Sequence, residues 1–195
     1  MFNIADTEKI HLKKTSLPFD WIFSCPAMVI DCLKDDFQTF LDKNEYSSLN
    51  RQSKEPGAHH NKYKEKYHLN DIFTHRDPTT PTDYAYYVRT VKRFRNILKS
   101  ADGKLFVMCC REEIDLAKAL PALVAELAQH TTNFYLLAFS LRKPSHLQLE
   151  SIAAGDNYSL YRFTPESEEK FTGKFPSLTD EMVFISTVLS FNLEL

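Results

Sequence analysis

The chain has 195 residues, 43% hydrophobic and 26% charged, which suffices for one buried core and is short for two, so we read residues 1–195 as a single domain. Its 24 basic and 26 acidic side chains leave a formal charge of -2, so no global field draws it to nucleic acid or an anionic membrane, and any such binding has to come from a local patch. With only 4 glycines it has no Gly-rich phosphate cradle, and its 4 cysteines match no zinc spacing, so neither a metal nor another cofactor is expected.

Met1 to Ser16 is polar and of mixed charge, without an apolar stretch of signal-peptide length, and no later run approaches a membrane span. The expectation is a cytoplasmic protein with reduced thiols. Pro18-Phe19-Asp20-Trp21-Ile22-Phe23-Ser24-Cys25-Pro26 follows, with an acid between two aromatics and a thiol placed as a helix cap before Pro26. From Ala27 to Leu41, Val29, Cys32, Leu33, Phe37, Phe40 and Leu41 share one helical face. Asn44 to Asp71 is polar, contains Pro56-Gly57, and reads as a long surface excursion that solvates His59, His60 and His68.

Asp71 to Pro78 reads as a short strand running into a turn, after which Thr82 caps a helix reaching Ser100. Tyr84, Tyr87, Val88, Val91, Phe94 and Leu98 form its apolar stripe, and Arg89, Lys92, Arg93, Arg95 and Lys99 fill the rest as a solvated face. Lys104 to Cys110 is a buried strand, Arg111-Glu112-Glu113 opens a helix that Pro121 kinks or splits, and Phe134 to Phe139 is a second strand. His130 sits at that helix's C-terminus, where the dipole favours it. The order strand, helix, strand over residues 104–140 predicts a parallel βαβ unit, hence an α/β layered fold with a small, mostly parallel sheet flanked by helices. Gly155-Asp156-Asn157 marks a turn, Tyr158 to Phe163 alternates as a strand, and Asp180 to Phe191 reads as a closing helix.

A thiol at a helix start gains partial positive charge that favours thiolate, which makes Cys25 the leading nucleophile, with burial as a small apolar residue the plainer alternative. A catalytic cysteine needs a base and an orienting group. His75, beside Arg76 and Asp77 in loop territory, is the best base, and Asp20 or Asp77 the orienter. Cys110, where the first sheet strand gives way to a helix, is a second nucleophile candidate.

Pro18-Phe19-Asp20-Trp21, the Asp36 to Leu41 helix end, Phe73-Thr74-His75, the Tyr87 to Leu98 helix with Arg93-Phe94, and Leu105-Phe106-Val107 together resemble a bacterial family of unknown function labelled papain-like cysteine peptidase. The likeness covers roughly residues 15–140. It implies a bacterial cytoplasmic thiol hydrolase, sometimes connected with surface-polysaccharide genes. The family's N-terminal glycine and cysteine segment has no counterpart in Met1 to Leu17, which holds neither residue.

Two activities follow as expectations. One is cysteine-dependent acyl transfer on a small-molecule or peptide substrate through Cys25, His75 and Asp20 or Asp77. The other is a non-catalytic or transferase-type component of polysaccharide assembly, binding an anionic sugar or nucleotide through Arg76, Arg89 and Arg93, whose guanidinium forks suit phosphate, with Trp21 beside the ligand. Neither involves nucleic acid or a membrane.

Overall fold

The computed structural model describes residues 15–49, 55–111, 113–169 and 175–192. The opening segment up to residue 14, residues 50–54 of the excursion, and Glu112 in the expected helix start lie outside them. Contacts divide the chain into two compact units, one from the described residues of 15–100 with 125–130, the other from 101–124 and the described residues after 130.

The first unit is organised by aromatic packing. Its first helix, α1 (Pro26–Lys34), starts where the sequence placed it, with Cys25 as N-cap and Pro26 in the first turn. It stops seven residues short of the expected end at Leu41. Asp36 and Phe37 take left-handed conformations (φ 48° and 60°), and their N–H groups return to Leu33 O (3.2 Å) and Cys32 O (2.7 Å). This is a Schellman ending without glycine. The left-handed strain is offset by burial of Phe37 against Phe19, Phe40 and Phe94, with ring centroids 5.7 to 5.9 Å away.

The polar excursion is not a bare loop. It contains β1 (Tyr46–Ser48), β2 (Ala58–His60) and α2 (Asn61–Tyr67). β1 and β2 pair antiparallel with Tyr46 opposite His60. Ala58 then exchanges backbone hydrogen bonds with Phe73 (3.0 and 3.1 Å), and Phe73 bridges Ile22, so the expected strand at Asp71 to Pro78 shrinks to one bridging residue. α3 (Pro81–Lys99) matches its apolar stripe, but Thr80 rather than Thr82 caps it, accepting from Asp83 N–H at 3.3 Å with Pro81 in the first turn.

In the second unit, β3 (Lys104–Arg111), α4 (Leu116–His130, whose last residues belong to the first unit) and β4 (Phe134–Leu141) make the expected parallel crossover. α4 begins at Leu116, not at Arg111, because β3 runs through Arg111 and Asp115 caps the helix by accepting from Lys118 N–H (3.2 Å). Pro121 lies inside one continuous helix. A strand not foreseen, β5 (Gln148–Gly155), forms a hairpin with β6 (Tyr158–Thr164), giving the sheet order β3-β4-β6-β5 with β5 alone antiparallel. The fold is α/β, with a mostly parallel sheet and flanking helices.

Strand alternation builds the core of this unit. Cys109, Phe139 and Tyr161 stand in one register across β3, β4 and β6, and with Leu137, Leu141 and Phe163 they meet Phe184 and Val188 of α5 (Leu178–Asn192). A bulge between Ser151 and Ala153 interrupts β5, leaving Ile152 partly exposed. Asp180, in the first turn of α5, is fully buried and accepts from Glu166 N–H (2.8 Å), Ser167 N–H (2.8 Å) and Ser167 Oγ (2.6 Å).

Candidate functional site

The structure disperses the residues expected to form a catalytic triad into separate roles. Cys25 is partly buried, and burial pushes its thiol up from the ordinary value, outweighing the backbone N–H groups of Met28 and Ala27 that act the other way. The helix start is where the sequence put it, and the nearby Asp31 carboxylate adds to the upward shift. No hydrogen bond joins Cys25 to an imidazole among the described residues. His75 is exposed, its Nδ1 is 3.4 Å from Glu55 Oε2, and its ring meets Trp21 edge-on at 5.9 Å. Asp20 closes a turn by accepting from Leu17 N–H at 2.7 Å.

Asp77 also has a structural part. Its carboxylate accepts from Ser48 Oγ (2.6 Å), Thr79 N–H (3.0 Å) and Thr79 Oγ1 (2.6 Å). Partial burial pushes its pKa up, but these bonds outweigh that and hold it below the ordinary value. Cys110 is buried at the end of β3, and its neighbour Cys109 faces the core, where burial pushes the thiol far up.

The arginines expected to hold an anion also separate. Arg76 donates to Asp83 Oδ1 (2.9 Å) and lies 3.8 Å over the Tyr86 ring, which ties it to the start of α3 and separates its role from that of Arg89 and Arg93. Arg89 and Arg93 are exposed on α3, Arg93 reaching Ser16 O at 3.5 Å. Trp21 and Phe23 project outward on either side of the buried Ile22.

His60, expected in solvent, is fully buried. Its ring stacks on Tyr63 at 4.0 Å, Nε2 lies 3.0 Å from Thr39 O, and Nδ1 accepts from Tyr63 N–H at 3.4 Å, capping α2. This pattern assigns the proton to Nε2 and requires a neutral ring. Burial lowers the pKa, although the Thr39 carbonyl, Glu45 and Asp42 act in the opposite sense. A histidine held neutral in the fold takes up a proton more readily when unfolded, so its contribution is intact above about pH 6.5 and is lost as pH falls below it. His60→Asn keeps a capping side chain that does not titrate. Urea unfolding from pH 7.5 to 5 is expected to show the wild type losing more stability than the variant; parallel curves would refute the assignment.

The second unit holds a cleft that sequence reasoning did not find. About 310 Å³ in volume, it lies at the carboxyl ends of β4 and β6 and is lined by Ile114 to Ala117, Ser140, Arg142, Ile152, Leu160 and Arg162. The parallel register places Ser140 opposite Arg162, and the crossover brings the first turn of α4 to the same end. There Leu116 N–H is bonded to Ile114 O (2.8 Å), Lys118 N–H to Asp115 Oδ1 (3.2 Å) and Ala119 N–H to Asp115 O (3.1 Å). The Ala117 N–H has no partner among the described residues. Arg162 also donates to Glu150 at 2.9 Å, which fixes its guanidinium in place. A smaller cavity of about 240 Å³ on the same strand ends shares Arg142 but sets Arg111 and Lys143 against Glu113, Glu168 and Glu169.

No protein-family model, curated protein or solved structure matches the chain. Among the described residues no group of His, Cys, Asp and Glu side chains is placed to hold a metal ion, and no helix is long and apolar enough to cross a membrane.

Proposed function

We propose that the protein is a non-catalytic binding module for a small anionic molecule of the sugar-phosphate or nucleotide class. The carrying observation is the cleft at the carboxyl ends of β4 and β6, whose lining combines Arg142 and Arg162 with Asp115 and the first turn of α4. A helix N-terminus offers N–H groups and partial positive charge to an anion, and guanidinium forks add paired donors of matching geometry. Its volume falls at the lower end of small-ligand clefts, and Leu116, Ile152 and Leu160 supply apolar wall for a ring. Thiol hydrolysis is less well supported, because burial disfavours the Cys25 thiolate and no base is bonded to it.

Calorimetric titration with glucose 1-phosphate and with uridine monophosphate tests the proposal, with glucose and uridine as uncharged controls. At least one anion is expected to bind, and Arg142→Ala to weaken it by about tenfold, the loss of one charge-assisted contact. Cys25→Ser should leave binding unchanged. Equal binding of the uncharged controls, or indifference to Arg142→Ala, would defeat the proposal.

A further inference from the structure

We infer that the outward face of α3 is a docking surface for the phosphate backbone of duplex nucleic acid. Arg89, Lys92, Arg93 and Lys99 all lie exposed on this helix, at spacings of three, four and ten residues from Arg89. At 1.5 Å per residue they mark a row about 15 Å long on one rigid element. Among the described residues none of the four has an acidic partner. Arg93 touches only the Ser16 carbonyl, at 3.5 Å. Asp83, at the start of the helix, is paired with Arg76 (2.9 Å), and Asp36 with Arg95 (2.7 Å). α3 itself carries no acid after Asp83.

Charge complementarity selects the occupant. The whole chain has a formal charge of -2, so no long-range field draws in an anion, and attraction to the row has to come from charges held close to it, which favours a partner whose charges are closely spaced. Duplex nucleic acid has a dense, regular array of charge, and neutralising its phosphates releases condensed counterions, which gives four local cations their largest return. A membrane fits less well, because the apolar stripe of α3 (Tyr87, Val91, Phe94, Leu98) is buried and cannot insert. Single strands would call for exposed aromatic platforms along the row, and its apolar member is Val88. The contacts made here are to phosphate, so binding is independent of base sequence. This surface is independent of the small-anion cleft and does not rest on it.

The test is fluorescence anisotropy of the full chain with a labelled duplex, titrated between about 50 and 200 mM salt, where four phosphate contacts give a log-log slope of about -3.6. Arg89→Gln with Arg93→Gln is expected to lower affinity at least tenfold and to reduce the slope by about two. Lys92→Gln with Lys99→Gln should do the same, and serves if the first pair fails to fold. Lys118→Gln, an exposed cation elsewhere, should change nothing. Absence of binding at the lowest salt, a slope unmoved by both pairs, or tighter binding to anionic vesicles or polyglutamate than to the duplex would overturn the inference.

Discussion

Replacing Phe40 with alanine is expected to destabilise the first unit by about 4 kcal/mol, the range seen when a fully buried aromatic is truncated. Phe40 has no exposed surface and lies between Phe19 (6.3 Å), Phe37 (5.9 Å), Phe73 (5.9 Å) and Tyr87 (5.9 Å). It therefore joins the segment after α1 to the Phe73 bridge and to α3. Its backbone adds a further tie, since the carbonyl accepts from the Tyr46 hydroxyl at 2.5 Å. Tilted and edge-on ring pairs contribute beyond the area they bury, and a methyl group in their place leaves a cavity that these rings cannot all close at once. Phe40→Leu, which keeps most of the volume, should cost less than half as much. Urea unfolding followed by fluorescence of Trp21, the single tryptophan, reads this unit directly. A loss below about 1 kcal/mol for the alanine variant would mean that the ring cluster is not the core described here.

Asp180→Ala is expected to cost about 3 kcal/mol in the second unit. The carboxylate is fully buried and receives the Glu166 N–H, the Ser167 N–H and the Ser167 hydroxyl, while Ser167 Oγ in turn accepts from Ser177 N–H (2.9 Å). Alanine removes the acceptor and leaves buried donors unmade, which costs more than the net value of the bonds themselves. Asp180→Asn restores one acceptor oxygen but turns an amide N–H₂ toward donors, so it should fall between the two. Far-UV circular dichroism during urea unfolding measures the difference. Wild-type stability in the alanine variant would show that the turn at Glu166 and Ser167 does not depend on this carboxylate.

Those two residues also show what could be read from sequence. The strands β3 and β4 were legible from their apolar runs, β6 from its alternation, and α3 from its apolar stripe. The end of α1 was not, since Asp36 and Phe37 hold left-handed backbone that only the surrounding rings make tolerable. β1, β2 and α2 are short and polar, and they are fixed by contacts from far along the chain, Ala58 with Phe73 and His60 with Thr39. β5 was hidden by small residues and a bulge, which break the alternation that marks a strand.

For the sites, the helix-cap position of Cys25 followed from Pro26, but the direction of its pKa depended on burial that no local pattern reports. Arg76 is tied to Asp83 and the Tyr86 ring, contacts that no local pattern reports. Arg142 and Arg162 carry no motif and are twenty residues apart in the chain. They line one cleft because parallel pairing of β4 with β6 sets Ser140 beside Arg162, and Arg142 N–H extends that ladder to Phe163 O (2.9 Å).

The bulge in β5 bears on what the far side of that strand can offer another strand. Among the described residues β5 pairs only with β6, so its far side presents backbone donors and acceptors of the kind that recruit further strands. The extra residue at Ile152 breaks the regular hydrogen-bonding repeat midway and twists the strand locally, so a straight incoming strand finds at most a few matched positions in a row. That irregularity makes the sheet margin a poor template for strand addition beside Ile152, which lines the cleft.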